Sequence, residues 1–98
     1  MSQWAFVNDT FVPFAEASLP VEDRAVQFGD GVYEVARIYR GKMFAFAEHT
    51  KRMLQGADIL EINHPWDTET LRPVLEELIS RNQQHHGIVY WQLTRGTA

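Results

Sequence analysis

The chain has 98 residues, of which 45% are hydrophobic and 22% are charged, and its formal net charge is −4. This length suits one hydrophobic core, so we expect a single globular domain. The acidic balance argues against a nucleic-acid partner, because such proteins present basic patches to phosphates. The lack of cysteine excludes disulfides and a thiolate nucleophile. Neither a secretory signal nor an apolar run that could span a bilayer is present, so we expect a cytoplasmic protein without a membrane partner.

The N-terminal segment predicts a β-hairpin. Short apolar runs at residues 5–7 and 10–12 flank Asn8 and Asp9, two residues that tolerate the left-handed backbone of a tight turn. Such a turn joins antiparallel neighbours, so the first two strands are expected to pair. Pro13 has no N–H to donate to a strand ladder and therefore ends this pairing.

The stretch DRAVQFGDGVYEV, residues 23–35, has the pattern of a polar loop that runs into a strand. Gly29 and Gly31 flank Asp30, so the backbone can adopt a positive φ or approach another group closely at two positions. The stretch is not a phosphate-binding loop, because it lacks the Gly-Lys-Ser/Thr ending of that motif. We expect the Asp30 carboxylate to bond backbone amides of the turn.

A second hairpin follows directly. Residues 33–39 and 42–46 flank Arg40 and Gly41, and the glycine supplies the positive φ that a short turn requires. Residues 88–95 alternate in polarity and predict a last strand. Two adjacent hairpins predict one antiparallel sheet.

After the second hairpin, apolar residues recur every three or four positions and predict an amphipathic helix. Gly56 inside this helix predicts close packing against a neighbour. A second helix follows, and its start has two interpretations. Asp67 with Trp66 forms one cap, but Thr70 as the cap places Pro73 among the free amides of the first turn, and we prefer it. The elements together predict an α+β fold, an antiparallel sheet built from hairpins and packed against two helices.

Several side chains that could carry chemistry also have an ordinary structural interpretation. Arg52 taken alone is typical of a solvated helix residue, and Tyr33 of a half-buried strand aromatic. Val35 lies on the strand face of Tyr33, two residues further on. Tyr90 shares its strand face with Gln92, which suits either a wet functional surface or the solvent side of an edge strand.

The remaining ionisable groups predict structure and not catalysis. We expect Glu34 to pair with a basic neighbour such as Arg37 or Arg24. The four histidines lack a recognisable ligand spacing, so no metal site is expected. Lys42 falls in the second hairpin and Lys51 on the first predicted helix.

The blocks DRAVQFGDGVYEV, RIYRGKMFAFAEHTKRM and IVYWQLTRG closely resemble the N-terminal part of the fold-type IV pyridoxal-phosphate aminotransferases, and most of all the D-amino acid (D-alanine) aminotransferases. The resemblance covers nearly the whole chain and implies that residues 1–98 form the small N-terminal domain. In this family the lysine that carries the cofactor lies in a second, larger domain, which this chain does not include, and neither Lys42 nor Lys51 matches it. The resemblance thus implies a chain with no catalytic residue of its own, inactive alone, from a homodimeric enzyme.

The resemblance also assigns roles to individual residues. Arg52 matches the arginine of the H-x-x-R block, which binds the phosphate of pyridoxal 5'-phosphate, and a guanidinium suits phosphate oxygens. Tyr33 and Val35 match the substrate-pocket wall after the glycine loop, and Tyr90 matches another pocket-lining tyrosine. The implied substrates are an amino acid and a 2-oxo acid.

Alternatives remain open within and outside the family. The YEV that follows GDG favours D-amino acids, but DRA and the ending LTRGTA leave aminodeoxychorismate lyase, branched-chain aminotransferase and R-selective amine transaminase open. The residues that hold the substrate carboxylate in D-specific members would fall after Ala98. A different class of function is a non-catalytic truncated domain that folds and self-associates. A third is an α+β binding module unrelated to pyridoxal enzymes.

Overall fold

A computed structural model describes residues 3–96, so the first two and last two positions of the predicted 1–98 domain lie outside the described residues. The strands are β1 (Trp4–Val7), β2 (Thr10–Pro13), β3 (Gly31–Tyr39), β4 (Lys42–Met43) and β5 (His86–Thr94), and the α-helices are α1 (Arg24–Phe28), α2 (Phe46–Ile59) and α3 (Thr68–Arg81). A single 3₁₀ turn, Phe14–Glu16, follows β2. No helix within the described part is long and apolar enough to cross a membrane.

The first hairpin forms as predicted, but it does not join the main sheet. Asn8 and Asp9 form its turn with φ values of 48° and 69°. The prediction of one sheet is wrong, because β1 and β2 make a two-stranded sheet of their own. The side-chain amide of Asn82, just after α3, accepts from the N–H of Trp4 at 2.9 Å and donates to its carbonyl at 3.1 Å. Backbone groups of β1 that could bind another strand are therefore held by the end of α3.

β3 is the central strand of the larger sheet, whose order is β4-β3-β5 and whose pairs are all antiparallel. It pairs with β5 from Gly31 opposite Thr94 to Tyr39 opposite His86. β4 pairs only with the last two residues of β3, Ile38 and Tyr39, through the predicted two-residue turn, in which both φ values are positive. The first half of β3 consequently has no β4 partner on its outer side.

Helices α2 and α3 cover one face of this sheet and complete the core. Alternation along β3 and β5 turns every second residue toward them. The core cluster consists of Ala36, Ile38, Phe46, Met53, Leu71, Leu75, Ile79, Val89 and Trp91. The α+β prediction, with an antiparallel sheet packed against two helices, is confirmed.

Part of the predicted loop between residues 23 and 35 is helical, which the sequence analysis missed. Asp23, 4% exposed, caps the short helix α1 by accepting from the N–H of Ala25 at 2.9 Å. Gly29 ends α1 with a φ of 63°. At Gly31 an added Cβ would lie 2.9 Å from the carbonyl oxygen of Leu93. The two roles predicted for these glycines, positive φ and close approach, are therefore divided between them.

Helix α3 begins earlier than predicted. Asp67 is its N-cap, and the preferred cap at Thr70 is wrong. Asp67 and Thr70 form a reciprocal capping box, in which each side chain accepts the backbone N–H of the other, at 2.8 and 2.9 Å. Two hydrogen bonds at the cap are gained, whereas Pro73 inside the helix removes one.

Gly56 brings α2 close to β3, as predicted. An added Cβ at this position would lie 3.1 Å from Cγ1 of Val32. Helix and strand are therefore in contact at the glycine, and the position of α2 along β3 is restricted there.

Replacing Gly31 by alanine tests the close approach of β3 and β5. We expect Gly31→Ala to lower the free energy of unfolding by about 1–3 kcal/mol, because the new Cβ meets backbone atoms that cannot move aside. Urea unfolding measures the change. Gly29→Asn is the matched control, since nothing lies within 4 Å of an added Cβ there and asparagine tolerates a positive φ. A Gly31→Ala protein as stable as the unsubstituted chain would contradict this packing.

Candidate functional site

Glu34 is a buried carboxylate on the helix-covered face of β3. Glu34 is 6% exposed. The Arg52 guanidinium donates to it twice, from Nε to Oε2 and from Nη2 to Oε1, both at 2.7 Å. Nδ1 of His49 lies 2.6 Å from Oε1. The prediction that Glu34 pairs with Arg37 or Arg24 is wrong. Strand alternation directs Glu34 toward α2, where His49 and Arg52 lie one turn apart on the same side.

The Glu34 carboxylate is held in its ionised form. The hydrogen bond from Arg52 lowers the pKa of Glu34 most, the contact with His49 lowers it further, and burial acts in the opposite direction. The same pair raises the pKa of Arg52. An ionised carboxylate can only accept hydrogen bonds, so Nδ1 of His49 must carry the shared proton. Glu34 thus fixes both the orientation of the arginine and the proton position of the histidine.

Arg52 retains donors for a further anion. Its guanidinium carries five N–H groups, of which two point to Glu34. The side chain is 71% exposed, so the remaining groups are accessible. A phosphate dianion accepts several charge-assisted hydrogen bonds and matches this donor geometry. The residues present therefore fit a phosphate-bearing cofactor at Arg52.

The predicted pocket residues lie together on the other face of the sheet. Tyr33, Val35 and Tyr90 are 63%, 37% and 53% exposed, and Val35 pairs directly with Tyr90. The rings of Tyr33 and Tyr90 stack with centroids 5.7 Å apart, and the Tyr90 hydroxyl donates to Oε1 of Gln92 at 3.2 Å. The result is an exposed aromatic wall with phenol groups.

The arginine and the first part of this wall meet at the open side of β3. A shallow depression there is lined by Tyr33, Glu34, Val35 and Arg52. β4 does not reach this part of β3, so the strand edge between the two faces is accessible. Tyr90 lies one strand further away and meets the depression through its contact with Tyr33. Three of the four predicted site residues therefore line one concave surface, and the fourth, Tyr90, packs against one of them, Tyr33.

Other ionisable groups lie outside the depression. The prediction that Asp30 bonds the turn amides is wrong: Asp30 pairs with Arg95, whose Nε donates to its Oδ2 at 2.6 Å. The longer reach of a guanidinium explains the difference, since Arg95 lies on the neighbouring chain segment just after β5. Among residues 3–96 there is no group of three or more side chains that could hold a metal ion.

Glu34 and His49 are the site residues that the sequence analysis did not assign. The sequence pattern gives Glu34 a structural ion pair, and it counts His49 among the four histidines without a ligand spacing. A signal was present in the alternation of β3, which places residue 34 on the same side as Ala36 and Ile38. A carboxylate among core residues requires hydrogen-bonding partners, and the basic pair on the covering helix supplies them.

Several known proteins resemble this chain in sequence or in fold. The D-alanine aminotransferase of Listeria innocua serovar 6a is 47% identical over 90 residues, which are 92% of this chain and 31% of that protein. A branched-chain amino acid aminotransferase from T.th., complexed with N-(5'-phosphopyridoxyl)-L-glutamate, matches with a TM-score of 0.88 at 27% identity, over 99% of this chain and 34% of that one. The 4-amino-4-deoxychorismate lyase from Pseudomonas aeruginosa matches with a TM-score of 0.72 at 30% identity, over 84% and 29% of the two chains.

The chain spans about a third of the length of the relatives it matches. The predicted resemblance to the pyridoxal-phosphate aminotransferases is confirmed at the level of the family. The family model of Amino-transferase class IV matches residues 31–98, which include β3, α2, α3 and β5. The chain belongs to the class IV aminotransferases.

Proposed function

We propose that this chain is the N-terminal domain of a pyridoxal-phosphate-dependent transaminase that moves an amino group between a D-amino acid and a 2-oxo acid. The observation that carries the proposal is the geometry of Arg52, held from one side by a buried carboxylate and open on the other. An arginine fixed in this way presents a preorganised cation to an anionic ligand. The adjoining depression with Tyr33 and Val35 supplies room for a small substrate.

Pyridoxal phosphate, when bound, supplies the electron sink that allows an amino acid to lose its α-proton. The residues of this chain have the tasks of binding and orientation. Arg52 binds the phosphate through the N–H groups that Glu34 leaves free. Tyr33 offers an apolar ring and a phenolic hydroxyl to the substrate, and Tyr90 supports that ring by stacking on it. Val35 limits the width of the pocket from the same sheet face.

The proposal includes parts that lie outside the chain. We place the cofactor-binding lysine in a second, larger domain, and we expect the complete enzyme to be a cytoplasmic homodimer. Exposed apolar side chains support contact with further protein: Val26, Phe28 and Phe44 are 55%, 69% and 70% exposed. Surfaces of this kind are typical of interfaces.

Preference for a D-amino acid is supported by the 47% identity to the D-alanine aminotransferase of Listeria innocua. The solved branched-chain aminotransferase and aminodeoxychorismate lyase share the fold, so the fold alone does not separate the three activities. Substrate tests have to make this distinction.

Covalent attachment of the cofactor tests the function directly. Each protein is treated with equimolar pyridoxal phosphate and borohydride. We expect the 98-residue chain not to be labelled at one specific lysine. A protein that joins this chain to the second domain should carry a pyridoxyl group on a single lysine. Peptide mass spectrometry locates the group. The joined protein should release 2-oxo acid from D-alanine and not from L-alanine. Preference for L-alanine would indicate another branch, and failure to attach cofactor would overturn the transaminase proposal.

Substituting Arg52 tests its phosphate contact. In the joined protein we expect Arg52→Ala to weaken binding of pyridoxal phosphate about tenfold or more, because charge-assisted hydrogen bonds are lost. Equilibrium dialysis measures the affinity. Lys51→Ala is the matched control, since it removes the same charge from the neighbouring helix position.

Tyr33→Phe should change KM for the amino acid and leave cofactor affinity unchanged, and the reverse pattern would contradict the assignments.

Acid unfolding tests the anchoring of Arg52 by Glu34. Because the folded-state pKa of Glu34 lies below its ordinary value of 4.5, the ion pair stabilises the fold above that value, and this contribution is lost as the pH falls through the folded-state pKa. Between pH about 6 and about 3 we therefore expect Glu34→Gln to lose less free energy of unfolding than the unsubstituted chain. Urea unfolding at each pH gives both curves. Arg52→Ala should reduce the same dependence, and parallel curves for all three proteins would rule out the coupling.

A further inference from the structure

Arg95 makes more side-chain hydrogen bonds than its place at the surface requires. Besides the Nε contact with Asp30, its Nη2 lies 3.3 Å from Oδ1 of the same carboxylate. The guanidinium also donates to the carbonyl of Leu60 at 2.7 Å and to that of Glu61 at 3.2 Å. One side chain therefore joins the end of β5, the turn before β3 and the end of α2.

These contacts suit the end of a helix. The C-terminal end of a helix carries partial negative charge, and the carbonyls of Leu60 and Glu61 follow directly after Ile59, the last residue of α2. Glu61, directly after the C-cap residue Leu60, has a φ of 58°, a conformation that turns the chain away from the helix axis. Arg95 satisfies carbonyls at this point and adds a positive charge where the helix dipole favours one.

The backbone around Arg95 strengthens the connection to the turn before β3. The N–H of Arg95 donates to the carbonyl of Asp30 at 3.2 Å, and the N–H of Arg24 donates to the carbonyl of Gly96 at 2.9 Å. The hydrogen bond from Arg95 also lowers the pKa of Asp30, so the carboxylate stays charged at neutral pH. Arg24 adds to the same lowering.

The segments that Arg95 joins are those that carry the two halves of the site. Asp30 is followed three residues later by Tyr33, and α2 carries Arg52 about 12 Å along the axis from Leu60, at 1.5 Å per residue. Between these points, Gly56 packs closely against Val32, so α2 and β3 are in contact midway between Leu60 and Arg52. Arg95 thus bonds to one end of α2, and Glu34 bonds to residues near the other.

We propose that Arg95 is a positioning residue for the phosphate site: by joining Asp30 to the carbonyls of Leu60 and Glu61, it sets the place of Arg52 relative to Tyr33. The inference rests on the proposed role of Arg52 and extends it to a residue that touches neither cofactor nor substrate. Arg95 acts through the helix, so its removal shifts Arg52 without removing any donor to the phosphate. The effect should therefore depend on the phosphate group.

The experiment compares pyridoxal phosphate with pyridoxal, which lacks the phosphate, in the joined two-domain protein. We expect Arg95→Met and Asp30→Asn to weaken binding of pyridoxal phosphate about fivefold and to leave binding of pyridoxal unchanged. In the presence of Arg52→Ala the Arg95→Met substitution should have no further effect, because the contact it positions is gone. Hydrogen exchange should accelerate at the amides of Leu60 and Ile62, whose hydrogen bonds close the end of α2.

Control variants separate positioning from a general loss of structure. Arg81→Met breaks another arginine–carboxylate pair, with Glu77 at 2.8 Å on α3, and should change neither affinity. Arg95→Lys keeps the charge but cannot span Asp30 and two carbonyls, so its effect should lie between those of arginine and methionine. If Arg95→Met fails to fold, Arg95→Lys decides the question.

The outcomes distinguish the two proposals. Equal weakening of pyridoxal phosphate and pyridoxal, or no weakening of either, overturns the positioning role of Arg95. If Arg52→Ala weakens phosphate-dependent binding and the Arg95 variants do not, only this inference fails. If Arg52→Ala itself has no effect, the proposed phosphate site fails, and the role of Arg95 fails with it.

Discussion

A buried negative charge organises the functional half of this domain. The Glu34 carboxylate lies on the core side of β3, where an unpaired ion would cost several kcal/mol. The Glu34 carboxylate can therefore be buried only if α2 places His49 and Arg52 within hydrogen-bonding distance of it. This requirement places the helix on the sheet and at the same time fixes a guanidinium at the edge of a depression. One ion-pair network thus serves both folding and the proposed binding of phosphate.

The two faces of β3 have different tasks, and strand alternation separates them. Glu34, Ala36 and Ile38 face the helices and are buried, whereas Tyr33 and Val35 face outward. Because β4 ends before it reaches this part of β3, the edge between the faces is open, and groups from both can contact one ligand. A longer β4 would cover that edge. The short second hairpin is consequently a condition for the site as well as an element of the fold.

Local patterns were sufficient for most elements but not for the contacts between them. The hairpin turns at Asn8-Asp9 and Arg40-Gly41 and the helical periodicity of α2 depend on neighbours in sequence, and each was predicted. Close packing at Gly56 was predicted as well, but not that its partner is Val32 on β3. Two errors have local causes that the pattern did not reveal: α1 is too short for periodicity to detect, and the capping box at Asp67 outweighed the cost of Pro73.

The sequence by itself determined the family, the α+β class and the strand faces. Its assignment of Arg52, Tyr33, Val35 and Tyr90 to the site stays a prediction. Tertiary structure alone decided which charges pair and which strands share a sheet. Partners such as Arg95 and Asp30 are separated by 65 residues, and Asn82 and Trp4 by 78. From the sequence, several arginines are equally suitable partners for a carboxylate, and several side-chain amides are equally suitable partners for a strand edge. Only the packed chain brings one of them within hydrogen-bonding distance.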